Sequence, residues 1–145
     1  MNNTEIVHED EASGKITAAA IGAKGNYALG TYGDTVQSML TVYSKKNEEI
    51  FIWKFKSERI TDISLSDNGK FAAVATVDVK DGEVNSRLYV FDFKSTEYVS
   101  CFDYPSTTLV KVDYVKGTNI VAIGDNLRSY IKSNTKRKDD IKFNS

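Results

Sequence analysis

The sequence predicts an all-β protein of about three four-stranded antiparallel sheets, and three observations support this prediction. Short runs of β-branched and aromatic residues alternate with turn residues along most of the chain. The order of these runs repeats with a period of about 44 to 49 residues. Several runs are apolar on both faces. A period of this length is typical of β-propeller blades, which are four-stranded sheets set around an axis.

The clearest hairpin spans residues 59–75. Alternating apolar residues up to Leu65 indicate one strand, and a small apolar run from Phe71 indicates its partner. Between them, Asp67-Asn68-Gly69 predicts a tight turn, because Asn and Gly tolerate the positive φ that such turns need. The segments before and after this hairpin are interpreted as earlier and later copies of it.

Corresponding segments show where the repeat starts again. The matched pairs are Ile16 with Ile60, 25–28 with 69–72, 40–43 with 88–91, and 49–53 with 98–102. The number of residues between matched positions is larger for the later pairs than for the earlier ones. We therefore expect extra residues in the second copy, in a longer hairpin at 78–85. A third copy follows from Leu109.

The predicted strands are 15–22, 26–33, 37–44, 48–55, 59–66, 70–79, 84–92, 97–104, 108–115, 119–123 and 126–131. A twelfth strand at 140–143 fits the repeat, but the polar stretch 133–139 before it also suits a fraying tail.

The predicted domain organisation follows from these strands. Residues 1–14 form an acidic leader with at most one edge strand, at Glu5–His8. Residues 15–133 hold the repeats, with blades of about 15–57, 58–106 and 107–143, and residues 134–145 are a polar tail or the last outer strand. The alternative fold is a β-sandwich, but its strands bury one face and alternate cleanly.

One hairpin also resembles a known group of proteins. The segment Ile63-Ser-Leu-Ser-Asp-Asn-Gly-Lys-Phe-Ala-Ala-Val-Ala75 is similar to the inner hairpin of WD-repeat-like and quinoprotein-like propellers. The chain departs from true WD repeats, since it has no Gly-His before a blade and only Phe91-Asp92 in place of Trp-Asp. Its Asn-, Lys- and Tyr-rich composition also resembles extracytoplasmic propellers of Gram-positive bacteria, often carried behind a membrane anchor. This resemblance favours an extracytoplasmic compartment over the cytoplasm.

Composition and charge exclude several classes of function. The chain has 145 residues, of which 41% are apolar and 27% charged, as in ordinary globular domains. With 19 basic and 20 acidic residues, no overall field favours nucleic acid or an anionic membrane. No run is long enough to insert in a bilayer, and the first residues lack a signal-peptide pattern.

Candidate catalytic and ligand-binding residues are few. His8 is the only histidine and Cys101 the only cysteine, so a Ser-His or Cys-His pair is not expected, and Cys101 is interpreted as a small buried apolar residue. Asp78, Asp81 and Glu83 share one hairpin but lack the spacing of a calcium loop, so a solvated tip is expected.

Other candidate sites also have structural explanations. Gly22-Ala-Lys-Gly25 precedes no helix and does not form a phosphate loop. The basic run Lys136–Lys138 is offset by Asp139-Asp140. The aromatic residues of the outer strands could form a binding surface, although packing between blades is the more usual role; they are Phe51, Trp53, Phe55 and Phe102. No catalytic residue, metal site or cofactor is predicted.

The sequence therefore favours a non-catalytic propeller module, a scaffold or a domain that recognises a ligand or protein. The alternative is part of a propeller hydrolase or lyase whose site needs further blades. Since propellers have four to eight blades, we expect a protein partner or self-association to complete the ring, with Glu5–His8 crossing to a second chain. The apolar residues expected on the uncovered faces are Ile16, Leu29, Val42 and Ile50 at one end and Val112, Ile123 and Tyr130 at the other.

Overall fold

A computed structural model of the chain describes residues 15–33, 38–134 and 138–142. These residues form strands, turns and bends, with no helix among them. The strands are β1 (Lys15–Ile21), β2 (Tyr27–Tyr32), β3 (Ser38–Tyr43), β4 (Glu49–Phe55), β5 (Arg59–Leu65), β6 (Phe71–Lys80), β7 (Glu83–Asp92), β8 (Tyr98–Tyr104), β9 (Leu109–Lys116), β10 (Asn119–Gly124), β11 (Leu127–Ile131) and β12 (Lys138–Lys142). The leader, with the expected strand at Glu5–His8, lies outside the described residues.

The strands form three antiparallel sheets in chain order: sheet 1 (β1 to β4), sheet 2 (β5 to β8) and sheet 3 (β9 to β12). Sheet 2 packs against sheet 1 on one face and sheet 3 on the other. This series of sheets confirms the predicted propeller blades, and the sandwich alternative is wrong. The first eleven predicted strands agree with the observed bounds to within one residue. The twelfth strand is β12, while Phe143 lies outside the described residues.

Two apolar cores fill the spaces between the sheets. The first joins Leu40 and Val42 of sheet 1 to Val74 and Phe91 of sheet 2. The second joins sheet 2 to sheet 3, and its buried members include Leu88, Val90, Tyr104, Leu109, Val112 and Ile120. Strand β6 contributes to both cores, because successive side chains point to opposite faces. Its fully buried alanines leave room for the two neighbouring sheets.

The turn between β5 and β6 forms as predicted. The Gly69 amide donates to the Ser66 carbonyl at 3.0 Å, and Asn68 Oδ1 accepts from the Lys70 amide at 2.9 Å. Gly69 has a φ of 76°, whereas Asn68 does not adopt a positive φ. In the longer hairpin at 78–85, the two turn residues Asp81 and Gly82 have φ values of 54° and 78°. Consecutive positive φ values of this kind are typical of tight two-residue hairpin turns.

One predicted correspondence between repeats is wrong by a residue. The match of Gly25 with Gly69 is correct, since both have positive φ and close equivalent turns. The carbonyl that closes the hairpin belongs to Asn26 in the first copy and to Phe71 in the second. Lys70 is therefore an added turn residue. Because one added residue reverses the faces of a strand, Ala28 packs towards sheet 2, while Ala72 packs towards sheet 1.

Two of the residues expected on uncovered faces are buried. Val42 packs between sheets 1 and 2, and Val112 packs between sheets 2 and 3, both with 0% exposure. Their neighbours in the strand face the other way, because side chains alternate along a strand. The expected residues Ile16, Ile50 and Ile123 are exposed as predicted.

We expect Leu88→Ala to lower the free energy of unfolding by about 2 to 5 kcal/mol, because it opens a cavity in the second core. Leu88 has no exposed surface. Val79→Ala is the matched control, since Val79 is 65% exposed on the long hairpin, and a change within about 0.5 kcal/mol is expected there. Denaturant titration measures both values. Equal losses in the two variants would contradict the assigned core.

Candidate functional site

The three inner strands β1, β5 and β9 line a cavity of about 300 Å³, called here the axial cavity. Its charged lining residues are Asp62, Asp67, Lys111 and Asp113. Three carboxylates and one ammonium give this lining an excess of negative charge. The remaining lining residues come from the same strands and the turns that follow them, so the cavity lies where the blades converge.

Side chains of β5 join sheet 2 to the backbone of β9 in this cavity. The Val112 amide donates to Asp62 Oδ2 at 2.8 Å, and Lys111 Nζ lies 3.6 Å from the same oxygen. The Tyr114 amide donates to Ser64 Oγ at 3.0 Å, and Ser64 Oγ donates to Asp113 Oδ1 at 3.1 Å. Strand β9 pairs with β10 along its other edge. Asp62 and Ser64 thus satisfy amides on the inner edge of β9 that no strand pairs.

Two more side chains extend this connection at the start of β9. The Leu109 amide donates to Ser86 Oγ at 2.9 Å, in a buried position. Thr61 Oγ1 donates to the Leu109 carbonyl at 3.0 Å. Thr61 lies where the pairing of β5 with β6 shifts register, so a local irregularity directs its hydroxyl towards sheet 3. In the described part of the chain, four side-chain to backbone hydrogen bonds therefore join sheets 2 and 3.

Sheets 1 and 2 are joined differently. The positions equivalent to Asp62 and Ser64 are Ala18 and Ala20, which have no hydrogen-bonding side chain. Ser38 is equivalent to Ser86, but its buried Oγ has no hydrogen-bond partner among the described residues. Apolar and aromatic packing holds this interface together instead.

The aromatic residues of the outer strands provide this packing. The Trp53 ring lies 5.2 Å from the Phe91 ring, and the Phe55 ring lies 5.1 Å from the Tyr89 ring. Phe51 also packs against Phe91, and Phe102 packs against the second core. Of the two sequence interpretations, packing between blades describes these side chains.

A second cavity, of about 230 Å³, lies beside the long hairpin of sheet 2. Glu58 lines it and is largely buried, accepting hydrogen bonds from Thr76 Oγ1 and the Tyr89 hydroxyl, both at 2.6 Å. Arg87 lies between Glu58 and Asp103, 3.6 Å from the first carboxylate and 2.9 Å from the second. Burial, and then the bond to Glu58, raise the pKa of Tyr89, so its hydroxyl remains a donor.

Cys101 is half-buried and packs against the first core. Burial is the main cause that raises the pKa of its thiol to about 11. A protonated thiol is a poor nucleophile. His8 lies outside the described residues, so the structure does not place the two residues relative to each other.

The acidic residues of the long hairpin are not brought together as a metal site. Asp78 accepts from Ser57 Oγ, Glu83 from Ser106 Oγ, and Asp81 lies in the turn. Within 15–33, 38–134 and 138–142, no three potential metal ligands form a group.

Two other sequence motifs have a local structural role or fall at the edge of the described chain. Gly22–Gly25 forms the turn after β1, where the Gly25 amide donates to the Gly22 carbonyl. The basic run ends at Lys138 in β12, and residues 136 and 137 lie outside the described residues. No helix in the described part of the chain could span a bilayer.

Sequence analysis did not single out Asp62, Ser64 or Glu58. Asp62 and Ser64 occupy ordinary polar positions of an alternating strand. A comparison of the repeats could have identified them, because the equivalent positions of β1 are both alanine, so the polar residues distinguish β5 from β1.

The model of a protein family matches residues 1–145, the whole chain. This is the DUF5711 family, described as a family of unknown function. The chain belongs to this family. No curated protein matches the DUF5711 chain.

The DUF5711 chain is similar in structure to several solved β-propellers and related chains. It matches the β-propeller domain of Cps50 (Swd1) from Myceliophteria thermophila with a TM-score of 0.69 and 12% identity, covering 93% of this chain and 39% of that one. It matches a complex of KlAtg21 with the coiled coil of AgAtg16 with a TM-score of 0.57 and 13% identity, covering 78% and 38%. It matches Kuenenia stuttgartiensis hydrazine synthase with a TM-score of 0.64 and 13% identity, covering 89% and 42%.

At this identity the matches show the fold alone. The DUF5711 chain spans about two fifths of the length of these structures. Its sheets are therefore propeller blades, in agreement with the prediction from the repeats.

We expect Asp62→Ala to destabilise the chain by about 1 to 3 kcal/mol, because it leaves the Val112 amide without its acceptor. Asp67→Ala is the control, because Asp67 is exposed and lines the same cavity. Thermal or denaturant unfolding measures the difference. The bridging role of Asp62 is rejected if the two variants unfold alike.

We expect Cys101 to react about a hundredfold more slowly with iodoacetamide at pH 8 than an unhindered thiol with its ordinary pKa. The pKa near 11 leaves little thiolate at that pH, and the rate should rise as the pH approaches 11. The urea-unfolded chain is the control. A folded chain that reacts as fast as the unfolded chain at pH 8 would contradict the burial of this thiol.

Proposed function

We propose that the DUF5711 chain is a non-catalytic β-propeller module that acts as a scaffold and recognises a protein partner. The observation behind this proposal is the use of the polar side chains at the axial cavity. Asp62 and Ser64 accept backbone amides of β9, and Asp113 accepts the Ser64 hydroxyl. These groups contribute hydrogen bonds between blades, which is a structural role.

Charge and similarity support a protein as the partner. The chain has nearly equal numbers of basic and acidic residues, so it offers no strong overall attraction to nucleic acid. One similar structure is a complex in which KlAtg21 meets a coiled coil. Large apolar side chains also remain exposed on sheets 1 and 3, and surfaces of that kind often bind protein.

The alternative is a propeller hydrolase or lyase, with its site at the central channel. That site would use the carboxylates of the axial cavity as acid and base, assisted by residues of further blades. One of the similar structures belongs to an enzyme, hydrazine synthase, but fold similarity alone does not assign chemistry.

Activity assays separate these two functions. The native chain and an Asp62→Asn/Asp113→Asn variant are incubated with chromogenic ester, glycoside and phosphate substrates and with uronate lyase substrates. We expect the native chain to turn over none of them faster than a heat-denatured sample. Turnover by the native chain that falls about a hundredfold in a folded double variant would overturn the non-catalytic function.

A further inference from the structure

We propose that a second copy of this chain covers the two end faces of the three-sheet arc and closes a ring of six sheets. This inference rests on the proposed function, because it identifies the protein partner of the module as a second copy of the same chain. The sheet-1 end face is the side of sheet 1 turned away from sheet 2. The sheet-3 end face is the side of sheet 3 turned away from sheet 2.

Both end faces carry rows of apolar side chains. On the sheet-1 end face, the members that pairing register and burial identify are Ile16, Ile21, Leu29, Met39, Ile50 and Ile52. On the sheet-3 end face they are Val121, Ile123, Tyr130 and Ile141. Ile21 is 86% exposed and Ile141 is 54% exposed. Adjacent apolar residues of this size usually mark an interface.

The molecule itself shows what covers such a face. One face of sheet 2 is buried by sheet 1, which precedes it in the chain, and the other face is buried by sheet 3, which follows it. The sheet-3 end face of one copy against the sheet-1 end face of another would repeat this arrangement. The inner strands support the match. Asp113 of β9 occupies the place of Ser64 in β5, and Ile21 of β1 occupies the place of Tyr114 in β9.

By this equivalence, the Asp113 carboxylate of one copy would accept the Ile21 amide of the next. The hydrogen bond would repeat the one that Tyr114 donates to Ser64 within the chain. Asp113 is exposed on its strand, and one of its carboxylate oxygens accepts a hydrogen bond from the Ser64 hydroxyl. A carboxylate accepts several hydrogen bonds, so this one would be added without breaking an existing contact.

The number of blades in a propeller favours two copies of the chain over three. Propellers have about four to eight blades, and the described residues supply three sheets. Two copies give six sheets, within that range, and three copies give nine, outside it. A head-to-tail pair related by a twofold axis is also closed, so it does not continue into a fibre.

The buried area would suit a stable dimer. Four strands spaced about 4.8 Å apart, with about six residues each, give a face near 19 by 20 Å. The ring has two contacts between copies and so buries four such faces, about 1,500 Å² in total. Stable protein interfaces bury about 1,200 to 2,000 Å².

Two substitutions test both the partner and its orientation. Ile52→Glu places a charge on the sheet-1 end face, and Ile141→Glu places one on the sheet-3 end face. Sedimentation equilibrium of the full chain, at about 1 to 100 µM, measures the mass. We expect the wild type to have the mass of two chains and each variant the mass of one, with unchanged circular dichroism.

Val79→Glu is the control, because Val79 is exposed on the long hairpin of sheet 2, outside both end faces. It should remain a dimer. If a Glu variant loses its fold, Ile52→Ser and Ile141→Ser replace the pair, and each should raise the dimer dissociation constant at least about tenfold.

Three results would overturn the second copy as the occupant. The first is a wild type that has the mass of one chain throughout, which would leave the end faces to other sheets or partners. The second is a dimer that Ile52→Glu dissociates but Ile141→Glu does not, because this outcome indicates pairing of two sheet-1 end faces. The third is a dimer that neither substitution affects. Sedimentation measures the mass of the assembly, whereas the activity assays measure substrate turnover. Failure of the proposed function is therefore detected separately from failure of this inference.

Discussion

The arrangement of sheets 2 and 3 depends on one constraint, the backbone groups along the inner edge of β9. Strand β9 has a pairing strand on one side only, and buried backbone groups without partners are costly. Side chains of sheet 2 supply the partners, with Asp62, Ser64 and Ser86 accepting amides and Thr61 donating to a carbonyl. These bonds fix the position of one blade against the next, which apolar packing alone does less specifically.

The two contacts between sheets use different chemistry for the same geometry. Between sheets 2 and 3, polar side chains reach across near the axis and the apolar core lies further out. Between sheets 1 and 2, alanines occupy the inner positions and an aromatic cluster around Phe91 supplies the packing. Aromatic pairs add stability beyond the area that they bury. A repeat can therefore keep its backbone arrangement while the side chains at its contacts change.

Strand bounds and sheet order could be predicted from the sequence because alternation, turn residues and period are local signals. The Asp67–Gly69 turn and the long hairpin at 78–85 both formed where expected. The face of the sheet on which each side chain lies was harder to predict. The extra turn residue Lys70 changes the register of β6 relative to the first copy. Val42 and Val112 are buried between sheets for a different reason: alternation separates the two faces of a strand, but it does not indicate which face meets the neighbouring sheet. The roles of Asp62 and Ser64 depend on a neighbouring strand 50 residues away, which no local pattern encodes.

Hydrogen exchange at the Val112 and Tyr114 amides tests this account most directly. Both lie on the inner edge of β9, so their protection depends on the side chains of Asp62 and Ser64. By NMR, we expect both amides to exchange slowly in the native chain. Protection should be lost at Val112 in Asp62→Ala and at Tyr114 in Ser64→Ala, while the Val90 amide in sheet 2 stays protected. Exchange of both amides at unfolded-chain rates in the native protein would contradict the proposed link between the blades.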